Sequence, residues 1–200
     1  MPASISIRTG IRWMQIIDDE TNNEDETKWG EWSEPTDTVV LTASNGWFLD
    51  VRFLSHGGEL EWAFSGKRIA EGNITKFEHM IDSRTTDAAS VVDEGYNMEM
   101  EDGSIVERGK MINPATGGMM LYEEKWREEE SSGGLVIRRK GKENTWQAIV
   151  GDYQLALGRF QDGAFWAWQA RKKDGVWERV HATKNAEPVD SYWVIMANEC

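Results

Sequence analysis

Polar and apolar residues alternate along much of the chain. The alternation runs over residues 47–54, 59–65, 76–82, 122–127 and 165–169. A period of two is the period of a β-strand, in which successive side chains point to opposite faces. Turn-forming pairs such as Asn45-Gly46 and Asp174-Gly175 punctuate the chain, and they supply the positive φ angles of tight hairpins. The pattern predicts an all-β fold, an antiparallel barrel or sandwich.

The strand candidates fall into two groups, over residues 5–84 and 96–197. Between them, residues 87–94 are small, polar and acidic, as is typical of a connection. We therefore expect two barrel-like halves in one chain, at residues 1–94 and 95–200.

Composition adds an acidic balance and a surplus of indole. The formal net charge is −13, and the chain has 11 Trp. Nucleic acid and anionic membranes are not expected partners, because both require clustered cations. No run approaches the roughly 20 apolar residues of a membrane-spanning helix, and a signal peptide is not recognised. The sequence indicates a cytoplasmic protein whose indoles fill a core, line a cavity or form an interface.

Motifs for several common chemistries are missing from the sequence. It has no glycine-rich phosphate loop and no dinucleotide-binding fingerprint. The histidines His56, His79 and His181 are far apart and lack the spacing of a zinc site. We therefore expect neither a metal nor another cofactor.

Two segments carry a family resemblance. One is residues 61–66 (Glu-Trp-Ala-Phe-Ser-Gly), followed by Asp82-Ser83-Arg84, and the other is residues 106–117 running into residues 122–127. Together they resemble the fungal HRI-type proteins, a family named for interaction with a casein kinase. The resemblance implies two lipocalin-like half-domains and carries over no catalytic residues. By analogy with orphan folds recruited into fungal secondary metabolism, it leaves an enzymatic role open.

One strand combines aromatic residues with an acid. Tyr122, Glu124 and Trp126 share a face, and Lys125 and Arg127 lie on the opposite one. We expect the aromatic face to point inward. Burial would raise the pKa of Glu124 and suit it to general acid or base catalysis. The alternative is a structural role, in which Glu124 bonds to a buried arginine or tyrosine.

Other polar residues share strand faces with apolar neighbours. His79 is either a proton carrier or a half-buried histidine bonded to backbone. Asp50 and Arg52 either pair on the solvent side or form a buried ion pair that orients a ligand, and Asp82 and Arg84 repeat this spacing. The catalytic candidates are Glu124, His79, Tyr122 and Asp82.

Aromatic residues supply most of the binding candidates. Trp166 and Trp168 are two residues apart, so their rings lie on one side of a strand. They either clamp a planar ligand or pack in the core. The candidates for binding a substrate are Trp47, Trp62, Phe64, Trp126, Trp166, Trp168, Arg84, Asp50 and Arg52.

Three functional classes fit these patterns. The favoured one is a protein that binds a hydrophobic small molecule in an aromatic-lined barrel pocket and catalyses a cofactor-free isomerisation, dehydration or cyclisation. The second is a non-catalytic lipocalin-like carrier. The third is an interaction module for a protein such as a kinase, and a homodimer is a further alternative. A barrel filled with side chains would favour the module, and an enclosed cavity would favour the other two.

Overall fold

The computed structural model describes residues 2–14, 28–138 and 144–187. Thirteen β-strands and one short 3-10 helix, Ala88–Ser90, make up its regular structure. The strands are β1 (Ala3–Trp13), β2 (Thr36–Thr42), β3 (Trp47–Leu54), β4 (Leu60–Glu71), β5 (Ile74–Asp82), β6 (Glu94–Glu99), β7 (Ile105–Ile112), β8 (Met119–Ser131), β9 (Gly134–Arg138), β10 (Thr145–Val150), β11 (Tyr153–Arg159), β12 (Phe165–Lys173) and β13 (Val176–Ala182). In these residues, no helix has the length and apolar character needed to cross a membrane.

The first eight strands form a closed antiparallel barrel. Each strand pairs with the next along the chain, and β1 also pairs with β8. This up-and-down order is the topology of lipocalins. The predicted all-β antiparallel architecture is confirmed, and the closed barrel extends from Ala3 to Ser131.

The remaining strands form a separate five-stranded sheet in the order β13-β12-β11-β10-β9. The change of sheet therefore follows Ser131, whereas the expected boundary at residues 94 and 95 falls at the start of β6, inside the barrel. The polar segment before β6 connects two strands of one barrel. The alternation of polar and apolar residues indicates the two faces of a strand but not which strands pair with it. The sequence pattern therefore could not locate the boundary between the barrel and the second sheet.

The second sheet packs against the outside of the barrel. Leu49, Val51 and Phe53 on the outer face of β3 are fully buried, in one cluster with Leu155 and Leu157 from β11. Both faces of β3 are consequently buried, one beneath the sheet and one inside the barrel. The sheet thus supports one wall of the barrel from outside.

Candidate functional site

The barrel contains a cavity of about 320 Å³. That volume lies at the lower end of the roughly 300–1,000 Å³ typical of small-molecule sites. Aromatic and buried charged side chains line it together. The lining includes nine of the residues singled out from the sequence: Asp50, Arg52, Trp62, Phe64, Asp82, Arg84, Tyr122, Glu124 and Trp126.

A network of buried ion pairs crosses the barrel interior. Glu124 Oε1 accepts hydrogen bonds from Arg8 Nη1 and, at 3.0 Å, from Arg52 Nη1. Arg52 also donates to Asp50 at 2.7 Å, and Arg8 donates to Glu34 at 3.0 Å. Asp50 and Arg52 therefore form the buried pair rather than a solvent-side pair.

Glu124 remains a carboxylate within this network. Burial on its own raises the pKa of Glu124, but the adjacent guanidinium groups of Arg52 and Arg8 outweigh it and hold the pKa below its usual value. The expected direction of the shift is thus reversed, because Arg52 and Arg8 both contact the buried carboxylate. Glu124 corresponds to the structural alternative, an acid bonded to buried arginines.

The proton-holding acid of the cavity is Glu107 on β7. Tyr122 Oη donates a hydrogen bond of 3.1 Å to Glu107 Oε1. Burial, reinforced by the negative charges of Glu124 and Asp93, raises the pKa of Glu107 to about 8. Burial and the neighbouring Glu107 also raise the pKa of Tyr122. Glu107 is therefore protonated at neutral pH and can exchange its proton near that pH.

Two glycines make room for this pair. Gly95 on β6 and Gly109 on β7 are cross-strand partners. A Cβ on Gly95 would lie 2.4 Å from Glu107 Cγ, and a Cβ on Gly109 would lie 2.4 Å from Tyr122 Oη. Larger residues at these positions would displace the acid and the phenol, so the glycines fix where both side chains lie.

A β-bulge brings His79 and Asp82 to the same side of β5. Residues three apart in a regular strand point to opposite faces. Here Met80 has no partner on β4, so β5 gains one residue and both side chains turn inward. The bulge needs Gly66, because a Cβ there would lie 1.7 Å from the carbonyl oxygen of Glu78.

His79 bridges two carboxylates behind the cavity wall. Its Nδ1 lies 2.8 Å from Asp82 Oδ2 and its Nε2 lies 3.0 Å from Asp93 Oδ2. Burial lowers the pKa of His79, but the hydrogen bonds to Asp82 and Asp93 outweigh it and raise the pKa above its usual value. His79 is fully buried and does not line the cavity, whereas both of its acidic partners do. It thus positions Asp82 and Asp93.

The aromatic wall is held by the same polar groups. Trp62 Nε1 donates to Asp82 Oδ1 at 3.0 Å, and the Phe64 ring stacks on His79 with centroids 4.2 Å apart. The Arg84 guanidinium lies 4.3 Å from the centre of the Trp62 ring. These contacts fix the orientation of the rings, as expected for a preformed pocket.

Three predicted binding residues lie elsewhere. Trp47 is on the outer face of β3 and packs on Trp146 at 5.4 Å between ring centroids. Trp166 and Trp168 are fully buried in the second sheet, on the opposite face of β12 from Ala167, which packs toward the barrel. They serve core packing, because both faces of the second sheet bury aromatic side chains.

Three residues of the site, Arg8, Asp93 and Glu107, were not predicted from the sequence. The signal for Glu107 was present, because it lies on β7 directly opposite Glu124 on β8. Recognising it requires the register of the two strands, which a single sequence does not supply. In the described parts of the chain, no three His, Cys, Asp or Glu side chains come together to hold a metal ion.

Comparisons with known proteins identify relatives but not an activity. A family model described as Protein HRI1 matches residues 4–194. A crystal structure of the uncharacterized protein YLR301w from Saccharomyces cerevisiae is similar, with a TM-score of 0.66 and 13% sequence identity over 91% of this chain and 86% of that chain. At that identity the likeness shows the fold alone. No curated protein matched the sequence.

Proposed function

This chain belongs to the HRI1 family, and we propose that it binds a small hydrophobic molecule inside its barrel. The observation that carries the proposal is the cavity of about 320 Å³. Small eight-stranded barrels either fill their interior with side chains or hold one small ligand. An interior that leaves this space unfilled supports the second use.

The chemistry of the walls supports the same proposal. Trp62, Phe64 and Trp126 are buried in one apolar cluster, and all three line the cavity. Aromatic walls supply most of the binding energy for hydrophobic molecules, and a few fixed polar groups orient them. Arg52 and Glu124 are held by their mutual hydrogen bond of 3.0 Å and are fixed polar groups of this kind.

The interaction-module alternative receives less support. It calls for a barrel interior filled with side chains, which the cavity argues against. A carrier and an enzyme both require a cavity, and they differ in whether a group in it transfers protons. The HRI1 name by itself assigns no partner to this chain.

A fluorescence titration with N-phenylnaphthylamine tests the binding proposal. This neutral probe brightens when it leaves water for an apolar pocket. We expect saturable binding to the wild type at one probe per chain. Met111→Trp places an indole in the cavity, where Met111 packs on the interior cluster, and should weaken binding at least about tenfold, about 1.4 kcal/mol.

The matched control is Met100→Trp, since Met100 is 45% exposed and does not line the cavity. It should bind the probe as the wild type does. Equal binding by both variants would overturn the proposal. If Met111→Trp fails to fold, Met111→Phe provides the same comparison with a smaller ring.

A second candidate function is proton transfer without a cofactor, as in an isomerisation, a dehydration or a cyclisation. The specific observation in its favour is Glu107, an acid on the cavity wall with a pKa of about 8. A group of that pKa is available as both acid and base near neutral pH. Tyr122 donates a hydrogen bond to its carboxyl and so positions it, and the Glu107 side chain is buried.

Base-catalysed opening of nitrobenzisoxazole tests this candidate. In the reaction a base removes the ring C–H proton, the N–O bond breaks, and a coloured cyanophenolate leaves. We expect the rate to rise with pH and to level off above about 8, following Glu107. Glu107→Gln should abolish the enzyme-dependent rate while still binding N-phenylnaphthylamine. A rate unchanged in Glu107→Gln would contradict the role of Glu107.

A further inference from the structure

Two acids lie side by side in the cavity. Glu107 and Glu124 are direct cross-strand partners on β7 and β8, and both line the cavity. Directly opposite residues of this kind have Cβ atoms about 5 Å apart, and like charges there repel. A third acid, Asp93, lines the same cavity from the segment before β6. The wall around Glu107 is therefore rich in negative charge.

The cations near these acids are already paired. Arg52 lies between Asp50 and Glu124, and Arg8 lies between Glu34 and Glu124. Among the described residues, no cationic side chain forms an ion pair with Glu107. Lys110 reaches the cavity from an exposed position farther along β7.

The charged and titratable groups that act on Glu107 come from each neighbouring element. Glu124 and Tyr122 lie on β8, Asp93 precedes β6 and Arg52 is on β3. Burial and the two negative neighbours raise the pKa of Glu107, and the hydrogen bond from Tyr122 and the charge of Arg52 oppose them only in part. The bound proton neutralises the Glu107 carboxyl, which has no cationic side chain as an ion-pair partner among the described residues.

Aromatic rings flank the Glu107 position on both sides. Tyr122 lies opposite Gly109 and Trp126 lies opposite Ile105, so the two rings are diagonal neighbours of Glu107 on the inner surface. The faces of tyrosine and tryptophan rings attract cations. Acids set between such rings form a favourable environment for an organic ammonium group.

We infer that the cavity selects hydrophobic molecules that carry a protonated amine, with the ammonium group bound between Glu107 and Glu124. This inference rests on the proposed binding function and specifies its ligand class. The ammonium group replaces the proton of Glu107: the neutral acid and the ammonium ion combine to give a carboxylate–ammonium pair, and one proton passes to solvent. Binding is thus linked to proton release.

Three naphthalene probes that share one ring system test the inference. Naphthylmethylamine is cationic at neutral pH, naphthalenemethanol is neutral and naphthoic acid is anionic. Each is titrated against the full chain by calorimetry. The amine should bind at least about tenfold more tightly than the alcohol, a difference of about 1.4 kcal/mol, and the acid should bind most weakly.

Proton release is the second measurement. Titrations of the amine in buffers of different ionisation enthalpy should show close to one proton released per molecule bound at neutral pH. The release should fall to about half a proton near pH 8, where Glu107 is half ionised, and should approach zero well above that pH. The alcohol should release none.

Two variants locate the effect. Glu107→Gln should bind the amine no better than the alcohol and release no proton, while still binding the alcohol. Glu130→Gln, at an exposed acid farther along β8 that does not line the cavity, should keep the preference. If the alcohol binds but the amine shows no preference or no proton release, the inference is overturned and the binding proposal stands. If no probe binds, both fail.

Discussion

Tyr122 and Glu107 are joined inside the barrel by a hydrogen bond of 3.1 Å from the phenol to the carboxyl. The two residues lie on adjacent strands, β8 and β7, and each side chain packs against a glycine. The phenol keeps its own proton because burial and the negative neighbours raise the pKa of Tyr122. Glu107 is therefore the group of this pair that titrates near neutral pH.

The first prediction concerns Glu107→Gln and stability. Glu107 has an ordinary pKa of 4.5 and a folded-state pKa of about 8, so the folded state holds a proton that the unfolded state has lost. The free energy of unfolding should therefore fall as pH rises between these values. Glu107→Gln has no carboxyl to titrate, so its free energy of unfolding should not fall in this way. At neutral pH the variant should be more stable than the wild type, by at most about 3 kcal/mol. Urea unfolding across that pH range measures it. An unchanged pH slope in the variant would contradict the assignment.

The second prediction concerns the buried ion network. Glu124→Gln leaves Arg8 and Arg52 without their shared carboxylate, so it should lower the free energy of unfolding by about 3–5 kcal/mol. Glu128→Gln, farther along the same strand, removes a partly exposed pair at 3.6 Å and should cost less than about 1 kcal/mol. Urea unfolding at neutral pH compares the two. Equal losses would show that the network is not held by Glu124.

The third prediction concerns His79. Since the folded-state pKa of His79 is raised above 6.5, its contribution to stability is fully present below that pH and is lost as pH rises through the raised pKa. His79→Gln should be destabilised most at low pH, and the difference from wild type should narrow as pH rises. Thermal unfolding over a pH series, performed in the Glu107→Gln background, separates this effect from that of Glu107. A difference that widens with pH would refute it.

The fourth prediction concerns the space beside Tyr122. Gly109→Ala introduces a Cβ that would lie 2.4 Å from Tyr122 Oη, so the phenol must move. We expect a loss of about 1–3 kcal/mol in stability and weaker N-phenylnaphthylamine binding. Gly118→Ala meets nothing closer than 3.6 Å and should change stability by less than about 0.5 kcal/mol. Equal stability and equal probe binding in the two variants would show that the close approach of Gly109 to Tyr122 is unimportant.

The sequence predicted the class of the fold and much of the barrel interior. Tyr122, Glu124 and Trp126 point inward as expected, and Lys125 and Arg127 lie on the opposite, outer face of β8. The resemblance carried by residues 61–66 and 106–117 agrees with the family match over residues 4–194. These features are local, so one sequence suffices to find them.

Features that depend on contacts between segments distant in sequence could not be predicted. Trp47 was predicted to bind a substrate inside the barrel. Both faces of β3 are buried, and only the packing of the second sheet shows that Trp47 lies on the outer face. His79 and Asp82 meet through a bulge, which alternation does not reveal. The lowered pKa of Glu124 and the raised pKa of Glu107 depend on side chains distant in sequence. Arg52 and Arg8 outweigh burial at Glu124, whereas Glu124 and Asp93 reinforce burial at Glu107.

An NMR titration of the tryptophan side chains with N-phenylnaphthylamine shows directly whether a hydrophobic molecule enters the barrel. Each of the 11 tryptophans gives one indole N–H signal. Once single Trp→Phe variants assign them, those of Trp62 and Trp126 report on the barrel interior and those of Trp166 and Trp168 report on the second sheet. Binding in the barrel should give saturable shifts for Trp62 and Trp126, which line the cavity, and none for Trp166 and Trp168, which are buried in the second sheet. Shifts confined to Trp166 and Trp168, or no shifts at saturating probe, would contradict it.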